Sequence, residues 1–475
     1  MLLKHNLYYL LMKCGTGVVS LLAVLVFTRL MSPAEYGVYA MLLSGLGICY
    51  AIFFQWLSQG LGRFYAEDKA QFSELISTVV YGFAMAAVLC LVLWGVGISF
   101  VQDASGQKWF LFLPPLAFSY SWYELNLRMA NASLRPRQYG YMSFAKASLG
   151  LLLGVVLYSY LGLAGVFWGL IISAMAAPFF GAQRDWLAFD FRRLNKATIQ
   201  KLLAYGLPLS VTVMLTLVVD VSDRFLIASL LDAKQAGLYS ASYDLVVQTM
   251  GFIVAAFYLG TFPALVRDVE ANNAEKIKTG LRHYSALLFA TSLPLLIIFA
   301  ALPLNISSVI FGAAFQESAT QLIPIIALGV FVGSFKIHYF DIVFQLGRKT
   351  LHQIWPALLT AAINVALNIY WIPRYGIIGA AYATLFAFAA GVLVSAAMAG
   401  QVLSMPRPGL DFLKITASGV CMYALLLTLA SLQGLGALIF QILSGLIMYT
   451  VFIIALDVAN VRRTLAGVLS RKAKA

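Results

Sequence analysis

Long apolar runs recur from one end of the chain to the other, and they constrain its fold more than any other feature. An α-helix needs about 20 apolar residues to cross a hydrocarbon core of roughly 30 Å. Strands of an outer-membrane barrel are shorter, at about 10 residues, and alternate in polarity. The sequence therefore predicts an all-α integral membrane protein. The fourteen predicted spans lie near 7–28, 36–58, 75–101, 110–130, 139–160, 163–182, 199–221, 236–262, 281–302, 319–345, 352–371, 377–399, 411–431 and 434–457.

Composition excludes a soluble globular protein. Of the 475 residues, 61% are hydrophobic and 11% are charged, whereas a soluble domain carries about 25% charged residues. No polar stretch is long enough to fold as a separate soluble domain. The first span is not followed by a small-residue cleavage site, so we expect a retained helix and not a removed signal peptide.

The distribution of basic residues predicts the orientation. Fourteen spans place both termini on one side of the membrane. With that side assigned to the cytoplasm, 24 of the 32 lysines and arginines lie in or beside cytoplasmic loops and tails, and five lie on the opposite side. This bias is what the positive-inside rule predicts. The net charge of +13 is therefore mostly topological and does not indicate a nucleic-acid partner.

The sequence contains an internal repeat. The segment "TRLMSPAEYGVYA" after the first span matches part of "DRFLIASLLDAKQAGLYSASY" after the seventh at an offset of 200 residues. The segment "YLGLAGVFWG" at the sixth span matches "YGIIGAAYA" at the twelfth at an offset of 214. The matched positions are Gly37 and Gly237, Tyr39 and Tyr239, Gly162 and Gly376, and Gly165 and Gly379.

The repeat predicts two lobes of six helices each. An even number of spans gives both halves the same orientation, a parallel arrangement that alternating-access transporters use. The expected domains are an N-lobe over 1–195, a C-lobe over 196–405, and two appended spans with a basic tail over 406–475. This organisation favours a transporter.

Ionisable residues within spans are the candidate functional residues. Each costs about 2.5–3.5 kcal/mol on insertion scales, so such residues usually face protein or a water-filled cavity. The candidates for a cationic substrate cavity are Lys13, Arg29, Arg128, Lys146, Arg224 and Lys336. The candidates for ion coupling or gating are Glu124, Asp220, Asp223, His338 and Asp341.

For several of these residues a purely structural role explains the charge as well as a functional role does. Lys13 and Arg29 are long enough to reach the headgroups from the ends of the first span. Asp220, Asp223 and Arg224 share one helix face, and either fix a helix end as an interfacial ion pair or line the mouth of a cavity.

Span 10, "GSFKIHYFDIVFQLGRK", is the most polar of the fourteen. Its i, i+3, i+7 spacing predicts one stripe of His338, Asp341 and Gln345, with Lys336 on a different face. A proton relay and a structural pair both remain open for His338 and Asp341. In the repeat, Glu124 falls opposite Lys336, which would allow an ion pair across the two halves.

The four cysteines, Cys14, Cys49, Cys90 and Cys421, lie in separate spans and show neither metal-ligand spacing nor a disulfide framework. We expect small core residues, and no metal or other cofactor.

The two repeat segments and "LGRK" after the tenth span resemble the polysaccharide-transporter branch of the MOP exporter superfamily, the Wzx-type lipid-linked oligosaccharide flippases. The resemblance extends over essentially the whole chain, including six plus six helices with two appended. It implies movement of an undecaprenyl-pyrophosphate-linked saccharide from the cytoplasmic to the periplasmic leaflet of a bacterial inner membrane, for O-antigen, capsule or exopolysaccharide synthesis.

The resemblance also implies a cationic cavity between the lobes. Arg29 would match functional arginines on the first span, and Asp223 and Arg224 match the "DR" pair of the family. The implied partners are the lipid-linked oligosaccharide, membrane lipids, and polysaccharide polymerase and export machinery, with proton or sodium coupling left open.

Three alternatives remain. A MATE-like exporter of small cations would have the same fold but a cavity dominated by acids. A lipid II flippase is second within the superfamily, although its "ADAF"-like pattern is missing here. A membrane polymerase or ligase is disfavoured because the outer loops are short, and we therefore expect a transporter and not an enzyme.

Overall fold

The structure is a computed structural model that describes residues 2–65, 72–99, 108–181, 184–270, 274–347, 349–407 and 409–462. The described residues form helices joined by short turns, and no strand occurs among them. Helices suit a bilayer because every backbone hydrogen bond is made within the segment. The predicted all-α membrane fold is confirmed.

Sixteen α-helices occur in the described ranges. They are α1 Leu2–Leu30, α2 Pro33–Cys49, α3 Gln55–Phe64, α4 Phe72–Ile98, α5 Leu113–Ala132, α6 Pro136–Leu161, α7 Leu163–Ala176, α8 Lys196–Leu230, α9 Ala233–Glu270, α10 Ala274–Ala301, α11 Pro303–Ile310, α12 Ala313–Phe335, α13 Asp341–Leu346, α14 Ile354–Ala399, α15 Leu410–Leu429 and α16 Leu435–Ala455.

Two π-helices interrupt longer apolar helices. Tyr50–Phe54 joins α2 to α3, and Lys336–Phe340 joins α12 to α13. In a π-helix the backbone bonds run from residue i to i+5, and such turns are frequent at functional sites. Both π-helices lie beside the charged side chains described below.

Eleven helices within the described residues are long and apolar enough to cross a membrane. The longest, Leu351–Ala399, contains a non-helical residue at Gly376 and covers both predicted spans 11 and 12. The apolar part of α1 is a shorter helix, Gly15–Leu30. The total of fourteen spans stays a prediction.

The chain divides into two compact units. Unit 1 comprises Met1–Phe27 and Met31–Gly237, and unit 2 comprises Thr28–Leu30 and Leu238–Ala475. This division follows packing, so α8 belongs to unit 1. The predicted lobes, which follow topology, stay predictions.

Matched glycines of the repeat have matching local structure. Gly162 has φ 58° and ψ −142°, and Gly376 has φ 61° and ψ −146°. Only glycine adopts this backbone region readily, because it has no Cβ. Three residues later in each half, a Cβ at Gly165 or Gly379 would collide with a backbone carbonyl.

Within unit 1, α2 and the start of α9 are in backbone contact at another matched pair. A Cβ at Gly37 would overlap the carbonyl oxygen of Ala233, and a Cβ at Gly237 would overlap that of Pro33. Small residues allow helix backbones to approach this closely within a membrane. The second copy of the repeated segment therefore packs on the first.

Within unit 2, a buried polar group joins the appended helices to α11. Asn305 Nδ2 donates to Gln441 Oε1 at 2.7 Å, and Gln441 Nε2 donates to the carbonyl of Leu429 at 2.6 Å. The backbone N–H of Gly434 donates to Asn305 Oδ1 at 3.0 Å. Because these groups are sealed from water, their hydrogen bonds fix the turn between α15 and α16.

Candidate functional site: charged groups inside the spans

The π-helix of unit 2 brings a lysine and an aspartate together. Lys336 Nζ donates to Asp341 Oδ2 at 2.8 Å. Both residues are buried, at 5% and 2% exposure. They are five residues apart, which is the spacing that a π-helix places on one face.

The predicted stripe on span 10 is wrong for the same reason. An uninterrupted α-helix would align His338, Asp341 and Gln345 and turn Lys336 away. The π-helix holds about one more residue per turn, so Asp341 faces Lys336 and is buried. Gln345, which lies in the α-helix that follows, is exposed. Periodicity alone gives no signal for such an insertion.

Asp341 has a second partner on a distant part of the sequence. Ser395 Oγ donates to Asp341 Oδ1 at 2.7 Å. The aliphatic part of Lys336 lies beside Gly391, where a Cβ would come within 2.9 Å of its Cδ and Cε. The Lys336 ammonium is thus neutralised by Asp341 within unit 2. The sequence had suggested Glu124 as its partner instead.

His338 faces an aromatic ring. Its imidazole lies 5.6 Å from the ring of Tyr258, centroid to centroid, and is half-buried. The two carboxylate oxygens of Asp341 bond Lys336 and Ser395. Asp341 therefore belongs to a lysine–aspartate–serine set, and the His338–Asp341 relay, which the sequence left open beside a structural pair, stays a prediction.

Unit 2 also contains a buried amide pair that the sequence analysis missed. Asn368 Nδ2 donates to Asn364 Oδ1 at 3.2 Å, and Asn364 Nδ2 donates to Thr384 Oγ1 at 3.2 Å. Both asparagines are fully buried. Two asparagines at i and i+4 within the apolar run "NVALN" were the available signal.

In unit 1 the charges lie on α5 and α6. Lys146 Nζ lies 5.3 Å from the ring centroid of Tyr120 and 5.7 Å from that of Tyr123. Glu124 lies one helical turn from Tyr120 on α5, and its negative charge acts on Lys146. Cation–π contacts of this type contribute about 0.5–2 kcal/mol each. Lys146 is therefore held by two aromatic faces and one carboxylate, in a half-buried position.

The other π-helix forms a wall of this site. The ring of Tyr50 lies 5.4 Å from that of Tyr120, and its hydroxyl donates to Ser58 Oγ at 3.1 Å. Arg128 packs across Gly62, where a Cβ would lie 2.9 Å from its Cδ. Tyrosines and mixed charges thus line one polar site inside unit 1.

Asp220, Asp223 and Arg224 lie within α8, which continues to Leu230. The single helix places the three on one face, as the spacing predicts. Asp223 and Arg224 are buried, at 1% and 9% exposure, and Asp220 is half-buried. The two readings of this cluster, an interfacial ion pair and the mouth of a cavity, both stay predictions.

Arg29 ends α1 and caps another helix. Its Nη1 and Nη2 donate to the carbonyls of Ile310 and Val309, both at 2.6 Å. A cation at a helix C-terminus stabilises the last carbonyls of that helix. Arg29 therefore has a structural role in unit 2, besides the cavity role predicted for it. The Lys13 side chain lies outside the described residues.

The predicted site residues thus form separate clusters within the two units. Among the described residues, no group of three or more His, Cys, Asp or Glu side chains could hold a metal ion. Charges buried in membrane spans mark substrate or ion pathways. The fold, with eleven helices among the described residues long and apolar enough to cross a membrane, defines a multi-pass membrane protein.

Comparison with known proteins identifies the family. A family model described as "Polysaccharide biosynthesis protein" matches residues 26–320, more than half of the chain. The chain belongs to this family. It is 23% identical over 223 residues to a Shigella flexneri protein named "Putative O-antigen transporter", a match over 46% of this chain and 50% of that protein.

Two solved structures share the fold. The lipid II flippase MurJ in an inward closed conformation has a TM-score of 0.80 at 15% identity, over 94% of this chain and 98% of that one. An inward-facing multidrug resistance transporter of the MATE family has a TM-score of 0.62 at 13% identity, over 81% and 95% of the two chains. At these identities the likeness concerns the fold.

Proposed function

We propose that this protein moves a polyprenyl-pyrophosphate-linked oligosaccharide from the cytoplasmic to the periplasmic leaflet of a bacterial inner membrane. The observation that carries the proposal is membership of the polysaccharide biosynthesis family over residues 26–320. The flippase fold supports it, because a bundle of this type carries a lipid-linked cargo in the structural neighbour. The predicted two-lobed repeat supports alternating access as the route.

The charged groups supply the chemistry that such a cargo needs. A pyrophosphate loses its hydration when it leaves water, and nearby ammonium or guanidinium groups offset that loss. Lys336 is neutralised by Asp341, whereas Lys146 is half-buried and held mainly by aromatic faces. Lys146 is therefore our first candidate for contact with the headgroup, and Arg224 is the second.

The test is a flipping assay in proteoliposomes that contain the purified protein. A labelled undecaprenyl-pyrophosphate oligosaccharide is scored for exposure in each leaflet, with and without proton or sodium gradients. We expect Lys146→Ala and Arg224→Ala to lower the initial rate about tenfold or more, since each removes a charge-assisted contact. Lys278→Ala removes an exposed lysine of α10 and should leave the rate unchanged.

Two controls separate function from folding and from cargo type. The double variant Lys146→Ala/Glu124→Gln removes both the lysine and the charge of its partner Glu124. If this double variant restored the rate lost in Lys146→Ala, the role of Lys146 would be to neutralise Glu124 and not to bind the cargo. Labelled lipid II serves as the competing cargo. Export of a cationic dye without movement of either lipid-linked saccharide would favour the MATE-like alternative and overturn the proposal.

A further inference from the structure

The connection between the sixth and seventh predicted spans has an unusual surface. Residues 184–198, here called the interspan linker, contain a 3-10 helix, Arg184–Ala188, and the first residues of α8. Six basic residues occur in or next to the linker on the predicted cytoplasmic side, at Arg135, Arg137, Arg184, Arg192, Arg193 and Lys196.

An ion pair and several hydrogen bonds hold the interspan linker against the rest of unit 1. Arg135 Nη1 and Asp185 Oδ2 form an ion pair at 2.9 Å. Trp186 Nε1 donates to Asn126 Oδ1 at 2.8 Å, and Ser73 Oγ donates to the carbonyl of Ala188 at 2.6 Å. Further bonds join Asp190 to Ser77, Phe191 to Tyr81, and Thr198 to Glu74.

The fastened segment exposes large apolar side chains. Leu187 is 84% exposed and Phe191 is 74% exposed. Two neighbouring turns of unit 1 add Phe179 and Leu134, at 81% and 82% exposure. Leu134 adopts a positive φ of 55°, a conformation that leucine rarely takes, next to Arg135. These four side chains are among the most exposed large apolar residues of the described chain.

The bilayer is the occupant that fits this surface. The exposed residues directly continue the ends of membrane spans, Leu163–Gly181 and Lys196–Leu215, so the adjoining phase at this depth is the lipid interface. An apolar body next to arginines and lysines is the pattern of segments that lie in the headgroup region. The Lys and Arg distribution places the segment on the cytoplasmic side, where anionic lipids attract basic residues.

We propose that the interspan linker and the adjoining turn at Leu134 form a binding surface for anionic phospholipid of the cytoplasmic leaflet. Leu187 and Phe191 insert below the headgroups, and Arg192 and Lys196 contact lipid phosphates. Arg193 forms an exposed ion pair with Asp190 at 3.3 Å and adds its remaining donors to the same surface. Because the interspan linker is bonded to α4 and α5, lipid bound there sets the depth of unit 1 in the membrane.

The first experiment measures depth. A nitroxide is attached at Leu187→Cys or Phe191→Cys, with the native cysteines replaced, in full-length protein in nanodiscs of phosphatidylglycerol and phosphatidylcholine. We expect both labels to be accessible to oxygen and shielded from a water-soluble nickel reagent, at a depth of about 5–10 Å. Labels fully accessible to the nickel reagent would overturn the proposal and assign this surface to a soluble partner.

The second experiment measures lipid preference. The triple variant Arg192→Gln, Arg193→Gln and Lys196→Gln is compared with a control of equal charge change, Lys278→Gln, Lys349→Gln and Arg407→Gln. We expect the first to lower the apparent affinity for phosphatidylglycerol, titrated into phosphatidylcholine nanodiscs, about 100-fold. The control should change it little. Equal effects of the two triple variants would overturn the lipid site, whatever cargo the protein moves.

Discussion

Lys336 and Asp341 show how a single extra residue in a helical turn redirects a charged side chain. Lys336 Nζ lies 2.8 Å from Asp341 Oδ2 because the π-helix brings the two side chains to the same face. In an uninterrupted α-helix the two side chains would point to different faces. An ion pair inside a membrane span is tolerated only when its hydrogen bonds are also made. Ser395 completes that requirement.

This pair leads to a stability prediction. Lys336→Met should lower the free energy of unfolding by about 3–5 kcal/mol, because it leaves the buried Asp341 carboxylate without its partner. The double variant Lys336→Met/Asp341→Asn should recover most of that loss, since neither charge remains. Chemical unfolding in micelles, followed by intrinsic fluorescence, gives the four free energies of the cycle. Single and double variants of equal stability would contradict the coupling.

At the scale of the element, glycines decide where helices meet. Gly37 and Gly237 face the carbonyl oxygens of Ala233 and Pro33, so α2 and α9 pack at backbone distance. The sequence repeat marked both glycines, yet periodicity could not show that one copy packs on the other. Contact between repeated segments is a property of the fold.

Alanine at either glycine should destabilise the protein. Gly37→Ala and Gly237→Ala each introduce a Cβ where a carbonyl oxygen lies, and overpacking of this kind costs typically about 1–3 kcal/mol or more. Gly251→Ala is the control on the same helix α9, because nothing lies within 4 Å of the added Cβ. It should be neutral or stabilise by up to about 1 kcal/mol. Thermal unfolding midpoints of the three variants decide the matter.

A second element-scale prediction concerns α2 and α4. The sequence placed Cys49 and Cys90 in separate spans, and the structure brings the two thiols close enough to interact. Copper phenanthroline should therefore oxidise the two thiols to one intramolecular disulfide, with loss of two protons and two electrons.

Mass spectrometry of digested protein should find the crosslinked peptides of α2 and α4, and none that contain Cys421. Cys90→Ala should abolish the crosslink. A Cys49 that remained reduced under conditions that oxidise exposed thiols would argue against the packing of α2 on α4.

At the scale of the whole molecule, orientation is the testable property. The two ends of α8, a helix of 35 residues, should lie on opposite sides of the membrane. At about 1.5 Å per residue the helix is roughly 50 Å long, which exceeds the hydrocarbon thickness of about 30 Å. Gln200 and Ser229 are exposed near those ends.

Each cysteine is introduced singly into a variant without the native cysteines, and the variant is produced in cells that are converted to spheroplasts. Ser229→Cys should react with a membrane-impermeant maleimide, and Gln200→Cys should react only after lysis. The reverse pattern would invert the predicted topology. Reaction of both from outside would mean that α8 does not cross the membrane.

The sequence by itself determined that this chain is an all-α membrane protein, because apolar length and charge scarcity admit no other solution in a bilayer. It also marked the matched glycines and most of the charged residues, since each is conspicuous in an apolar run. Only the tertiary structure decided the partners of those charges. Lys336 pairs with Asp341 through a π-helix, Arg29 caps α11, and Lys146 lies over two tyrosine rings. The first pairing depends on a local insertion in the helix, and the other two depend on packing between different helices. Periodicity encodes neither.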